Sequence, residues 1–356
     1  MARGWGDRPF LAFGLAGLVA SFVVSLLSAS ALGLSPVAQL AISIAGAATF
    51  VVLALGTKAI TGAESLTYYH HEIAILVVAG ALAALLGRPV LGHLDASTLG
   101  IGSFLVLGRI GCTLAGCCHG RPASFGIVYR KRRPGLPRYL VGRRLVPVQA
   151  IESAAALALV IAGALSLDPD RQGAAFALYV AGYGVVRPVL EELRGDWRRP
   201  RWHGLSEAQW TSVALVLLAA VADVAGVLPH GPARWAPVVL AIELVGLALL
   251  RRRRPRRLLD PDHIRELVRA CERSVAGSGA GPTVLRTSQG VSLSAANEQG
   301  MRSVSLSRVP APLLAGDLQL LAPVIAELCL RRENVDVVAG AADVFHVVAA
   351  PQARRP

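Results

Sequence analysis

Residues 10–33 read FLAFGLAGLVASFVVSLLSASALG, a run without a single charged side chain. An α-helix needs about 20 such residues to cross the roughly 30 Å hydrocarbon core of a bilayer. Seven further apolar runs follow, at about 36–57, 68–86, 98–118, 146–166, 173–193, 209–228 and 234–250. Lipid offers the backbone no hydrogen-bonding partner, so each run is expected to be a helix. Composition agrees: 54% of the 356 residues are hydrophobic and 17% are charged, against about 45–50% and 25% in soluble domains. The expected fold is an all-α polytopic membrane protein of about eight transmembrane helices, with a small α+β soluble domain at the C-terminus. The first run continues past the usual length of a secretory h-region. It reads as an uncleaved span, although Ser28-Ala29-Ser30 is a weak cleavage site.

The net charge is +13. The basic residues gather at the ends of apolar runs, lack interleaved aromatics and match no nucleic-acid-binding motif. They point to membrane orientation and anionic headgroups, not nucleic acid. Eight spans put both chain ends on one side. The segments on that side hold 21 Lys and Arg, eight of them within 119–145, and the opposite loops hold three. The asymmetry predicts a cytoplasmic C-terminal domain in a multi-pass membrane protein.

The run Arg251–Arg257 closes the membrane domain, 1–257, and a second domain covers 258–356. There Asp260 or Asp262 is expected to cap a helix reaching about Val275. A Gly/Ser linker follows at 277–281. The alternating stretches beginning at Gly290 and Arg302 read as strands, then come a helix at about 312–332 and a strand pair at about 335–349. This domain carries no metal or nucleotide motif, and its role is open. No internal repeat is visible. The five cysteines are Cys112, Cys117, Cys118, Cys271 and Cys329. An odd count in a chain this long does not read as a disulfide framework.

Ionisable groups inside a span cost roughly 2.5–3.5 kcal/mol each on insertion scales, which makes them functional candidates. Three sets qualify. The first is Arg109 with Cys112, Cys117, Cys118 and His119. On one continuous helix Arg109, Cys112, Gly116 and His119 would share a face. Gly108, Gly111, Gly116 and Gly120 remove bulk, so that a ligand or another backbone can approach. A buried guanidinium suits a phosphate or carboxylate. The second set is Tyr183, Arg187 and Glu191 at helical spacing, with Glu192; Glu191 can pair with Arg187. The third is His70, His71 and Glu72, with Glu152 in the fifth run. A histidine there can act as general base or simply bond a carbonyl.

Gly108-Arg109-Ile110-Gly111-Cys112 through Gly120-Arg121-Pro122 resembles the Gly-Arg-(Ile/Leu)-Gly-Asn…Gly-Arg-Pro signature of prolipoprotein diacylglyceryl transferases. Pro147-Val-Gln149-Ala-Ile-Glu152 is similar to that family's Pro-x-Gln-Leu-Tyr-Glu. Tyr183-Gly184-Val-Val-Arg187 with Glu191 resembles its Tyr-Gly-x-x-Arg…Glu, and Leu205-Ser206 with Gln209 its last span. The four pieces keep their order over about residues 60–228.

The resemblance implies transfer of a diacylglyceryl group from phosphatidylglycerol, or a related anionic lipid, to a thiol such as that of a lipoprotein precursor, without a cofactor. It implies Arg109 and Arg187 as phosphate ligands, His70 or His71 as base, and Tyr183 and Glu191 as residues that orient the arginines and close the pocket. Gly108, Gly111, Cys112, Gly116, Cys117, Gly120, Gln149 and Glu152 would line the substrate.

Some positions depart from the pattern. Cys112 stands for asparagine, Cys117 for an acidic residue, Ile151 for tyrosine, and His70-His71-Glu72 for a His-Gly-Gly or Tyr-Gly-Gly segment. Together these add thiols and imidazoles. The alternatives they raise are an intramembrane metal or redox site of Cys112, Cys117, Cys118 and His119, and a catalytically inactive lipid-binding scaffold.

Overall fold

The computed structural model describes residues 8–61, 68–199, 201–253, 257–276, 283–298, 301–332, 335–340 and 343–349. The linker expected at 277–281 lies outside them. All eight apolar runs are helices: α1 (Arg8–Ala31), α2 (Pro36–Thr61), α3 (Tyr68–Leu85), α4 (Val90–Ala115), α5 (Val148–Leu165), α6 (Ala174–Leu193), α7 (Glu207–Val224) and α8 (Ala236–Arg253). Six of these are long and apolar enough to cross a membrane. The others are α3, whose apolar stretch is Tyr69–Leu85, and α6, which carries Arg187, Glu191 and Glu192. Leu11, Val52, Ile161, Leu218 and Ile242 are exposed, as side chains facing lipid must be.

Contacts divide the chain into two compact units. One comprises 1–118, 147–194 and 200–253, and the other 119–146, 195–199 and 254–356. The last division falls between 253 and 254, and two segments between helices are drawn into the second unit.

In the first unit, glycine lets helices approach closely. A Cβ on Gly102 of α4 would stand 2.5 Å from Val160 Cγ2 of α5 and 2.7 Å from Tyr179 Cε2 of α6. The three helices thus meet at one seam, closed by a buried cluster of Leu105, Ala156, Val160, Tyr179 and Tyr183, with Tyr69 of α3.

The ends of α4 differ from expectation. It starts at Val90, about two turns before residue 98. His93 and Asp95 are buried in it with partners from other helices: His93 Nδ1 bonds Gln39 Oε1 at 2.8 Å, and Asp95 accepts from the N–H groups of Gly173 and Phe176 at 2.6 and 2.7 Å. Asp95 so satisfies orphan donors at the start of α6. At the other end α4 stops at Ala115. Gly116 takes a left-handed φ of 76° and returns its N–H to Cys112 O, and Cys118 has φ 53°. The expectation that Gly116 and His119 share a helical face with Arg109 and Cys112 is therefore corrected, because the chain leaves the helix between them.

The second unit contains β1 (Pro122–Val128) paired with β2 (Arg144–Leu145). A short hairpin, β3 (Arg201–Trp202) with β4 (Leu205–Ser206), belongs to the first unit. The C-terminal part of the second unit holds α9 (Pro261–Ala276), β5 (Leu285–Arg286), β6 (Val291–Glu298), β7 (Met301–Arg308), α10 (Ala315–Val324) continued by a π-helical turn (Ile325–Leu330), β8 (Asp336–Ala339) and β9 (Phe345–Ala349). The strands form one antiparallel sheet in the order β5-β6-β7-β9-β8.

Register pairs Leu293 with Leu306 and Val304 with Val347. Alternate residues therefore meet on one buried face with Leu267, Cys271, Leu321 and Ile325. Ile264, Leu267, Val268 and Cys271 of α9 recur at helical spacing and are all buried. Cys271 and Cys329 form a disulfide with Cα atoms 6.0 Å apart. That corrects the reading of the cysteines as free of any framework: the two are far apart in sequence, and only the packing of α9 on the π-helical turn brings them together.

Candidate functional site

At the seam of α4, α5 and α6, side chains from each helix form a buried polar network. Arg109 of α4 places Nε 2.8 Å from Glu152 Oε2 of α5. Tyr183 of α6 donates its hydroxyl to Glu152 Oε1 at 2.6 Å. One turn on, Arg187 Nη2 lies 2.9 Å from Glu191 Oε2. All five side chains are buried. Paired ions in such a place hold each other's charge, whereas removing one partner leaves the other uncompensated.

The network is not neutral in its parts. Arg194, the C-cap of α6, is buried and follows Arg187 and Glu191 at the spacing of one helical face. Three buried guanidiniums of α4 and α6 thus stand against two paired carboxylates. Arg187 Nη1 and Arg194 Nε are buried with no hydrogen-bond partner among the described residues. Orphaned buried donors are costly unless a ligand meets them. An excess positive charge with free N–H groups is what a phosphodiester anion needs.

Aromatic rings wall the site. Tyr179 and Tyr183 are stacked with centroids 6.0 Å apart, and Tyr69 of α3 meets Tyr183 edge-on at 5.7 Å. Tyr69 and Ser212 of α7 share a hydrogen bond of 2.8 Å. Gly108 has no heavy atom within 4 Å of a would-be Cβ, so open space borders α4 beside Arg109.

The other expected site residues are placed as follows. Gln149 donates Nε2 to Cys117 O at 2.8 Å and so fixes the turn after α4. The Sγ atoms of Cys112, Cys117 and Cys118 lie within 4.8 Å of one another. His119 Nδ1 lies 3.1 Å from Gly120 O. Gly111 faces α1, where a Cβ would lie 3.1 Å from Phe13 Cβ. Gly116 is the left-handed cap of α4, and a Cβ on Gly120 would stand 2.2 Å from Val146 O. Both glycines therefore serve the path of the backbone.

The third sequence set is divided in space. Glu152 joins Arg109. His71 and Glu72 are buried on α3, with His71 tilted against Phe50 at 4.9 Å between ring centroids. His70 is exposed and pairs with Glu207 Oε1 at 2.5 Å. Glu192 is held apart from the arginine network by Arg251, Arg201 and Gln209. Sequence reasoning passed over Tyr69, Tyr179 and Arg194. Arg194 was within reach, since Arg187, Glu191 and Arg194 recur at the spacing of one helical face.

A family model described as prolipoprotein diacylglyceryl transferase matches residues 35–224, a stretch that includes the whole network. Among curated proteins, the phosphatidylglycerol–prolipoprotein diacylglyceryl transferase of Clostridium tetani is 36% identical over 115 residues, 31% of this chain and 44% of the relative. The protein of the same name from Dehalococcoides mccartyi is 33% identical over 137 residues, 36% of this chain and 49% of the relative. The chain thus aligns with about half the length of the curated relatives it matches. No solved structure matches.

Proposed function

This chain belongs to the prolipoprotein diacylglyceryl transferase family, and we propose that it moves the diacylglyceryl group of phosphatidylglycerol, or a related anionic lipid, onto a thiol such as a lipoprotein cysteine. The observation that carries the reading is the buried set of three arginines against two carboxylates, with two donors left open. In the reaction the acceptor sulfur, as thiolate, attacks the glycerol carbon that bears the phosphoester oxygen. A C–S bond forms, the C–O bond breaks, and glycerol phosphate leaves with the electron pair.

Arg109 and Arg187 hold the phosphate and stabilise the charge that grows on it as it departs. Glu152 orients Arg109 and is itself held by Tyr183, and Glu191 orients Arg187. The thiol proton goes to a histidine of α3. His71 is the buried one, whereas His70 is engaged by an exposed carboxylate. The test is release of glycerol phosphate from labelled phosphatidylglycerol in membranes bearing the wild type, His70→Ala or His71→Ala. Unaltered lipid with the wild type ends the reading. Unchanged release with Arg109→Ala and Arg187→Ala would show that these arginines do not carry the reaction.

Family membership favours this reading over an intramembrane metal or redox protein built on the three clustered thiols. The apolar helices make the chain a multi-pass membrane protein, here placed in the bacterial plasma membrane. For the side occupied by the second unit, two observations point in opposite directions. The arginine asymmetry assigns it to the cytoplasm. The Cys271–Cys329 disulfide argues for an oxidising compartment, and charge counts govern short loops more than folded domains. Thiol labelling in intact cells decides between them. Labelling of Cys271 and Cys329 only after reductant supports the outer side, and labelling without it supports the cytoplasm.

A further inference from the structure

The second unit has its own arginine-lined cavity, of about 430 Å³. Four arginines line it, from four separate segments: Arg121 before β1, Arg143 before β2, Arg257 before α9 and Arg308 at the end of β7. Two are fixed in direction by main-chain oxygens. Arg143 donates Nε to Tyr139 O at 3.0 Å, and Arg308 donates Nε to Gln289 O at 3.3 Å.

The carboxylates in the wall are Asp260 and Asp317. Asp317 Oδ2 lies 3.6 Å from Arg308 Nη1 and also accepts from Leu314 N–H. Asp260 Oδ1 accepts from Asp262 N–H at the start of α9. Both carboxylates are thus engaged in fixing the local backbone. Even counted in full, they leave two of the four positive charges without a counter-ion in the wall.

We propose that this cavity binds a phosphate ester. Four arginines around one cavity suit a tetrahedral oxyanion better than a planar carboxylate, which one or two of them would satisfy. The volume falls within the roughly 300–1,000 Å³ of small-molecule sites. Leu258, Leu259 and Leu320 form an apolar wall, which suits the organic part of an ester and would be wasted on bare phosphate. The ester is either a soluble one or the headgroup of an anionic phospholipid. The assignment stands independently of the transferase reading, because no residue of the first unit enters it.

The test is titration calorimetry on the full chain in detergent, in an Arg109→Ala background so that binding in the membrane site is not counted. The probes are glycerol 3-phosphate, inorganic phosphate and dihexanoyl phosphatidylglycerol. A phosphate ester should bind more tightly than inorganic phosphate. Arg257→Gln and Arg308→Gln should each weaken it about tenfold or more, the effect of one lost hydrogen bond to a charged group. Tight glycerol 3-phosphate with weak lipid identifies a soluble ester, and the reverse identifies a headgroup. Arg257 is exposed, so its replacement reads binding even if Arg308→Gln fails to fold. Affinities for all three probes that are unaltered by Arg257→Gln, or no binding by the parent chain, would overturn the proposal.

Discussion

Arginines define both units of this protein, in opposite ways. In the first unit Arg109 and Arg187 are buried, and each is opposed by a glutamate from the helical framework. In the second, Arg143 and Arg308 are half-buried and held mainly by carbonyl oxygens beside an open cavity. Burial raises the strength of every Coulombic interaction and the cost of every unpaired charge. The first arrangement therefore suits chemistry, where charge develops on a phosphate and must be met by fixed donors. The second suits recognition, where a hydrated anion is exchanged for another at modest cost. The same side chain does both jobs, and the carboxylate partner and the depth of burial make the difference.

That contrast can be broken or sharpened by experiment. The largest effect is expected in the second unit from Cys271→Ser, which opens a loop spanning a sequence separation of 58 and should lower its stability by about 4 kcal/mol. Hydrogen exchange of β6 and β7 in the full chain reads it; exchange as slow as in the wild type would show that the bridge contributes little. Next, Arg109→Ala and Arg187→Ala should each slow diacylglyceryl transfer by about 10²–10³-fold, the range found for loss of a single transition-state donor. Arg257→Gln should leave transfer within about twofold. Equal loss in all three variants would erase the distinction between the two arginine sets.

Smaller is the effect of Gly102→Ala, which puts a methyl group into the α4–α5–α6 seam. About 1–3 kcal/mol of stability should be lost, together with part of the activity, since the seam positions Glu152 and Tyr183. A thermal shift assay in detergent measures the loss. An unchanged midpoint would show that Val160 and Tyr179 yield freely.

The smallest effect concerns acid. His263 is buried between Leu258 O and the Thr287 hydroxyl, and burial holds its imidazole below the ordinary value of about 6.5. Its folded pKa being depressed, the unfolded chain binds the extra proton first. Stability from this group is complete above about pH 6.5 and falls as the pH drops below that toward the folded pKa. His263→Gln should flatten the acid limb of the second unit's unfolding curve. An identical limb in the variant would exclude the group.

The helices were legible because lipid forces every apolar run of sufficient length into the same conformation. The strands of the second unit were legible because alternation at 290–294 and 302–307 matches a sheet with one buried face. What escaped was long-range. His93 and Asp95 looked like loop residues, since only Gln39 on α2 and the first turn of α6 make them tolerable inside a helix. The end of α4 at Ala115 hinges on a left-handed glycine, which the surrounding apolar pattern masked.

At the site, the glycine and arginine motifs pointed to α4 and α6, whose side chains lie in one buried network with Glu152. No periodicity could assign Glu152 to Arg109 rather than to the histidines of α3, because the pairing crosses helices. Arg194 was readable from its spacing to Arg187 and Glu191 but lay just past the apolar run.

The most direct measurement follows labelled phosphatidylglycerol in membranes that contain this chain and a lipoprotein-signal peptide with a single cysteine. The peptide should acquire a diacylglyceryl thioether as glycerol phosphate appears. Both products should fall together by about 10²–10³-fold in Arg109→Ala and Arg187→Ala. Intact lipid with the wild type, or equal product yields with both arginines replaced, would contradict the account.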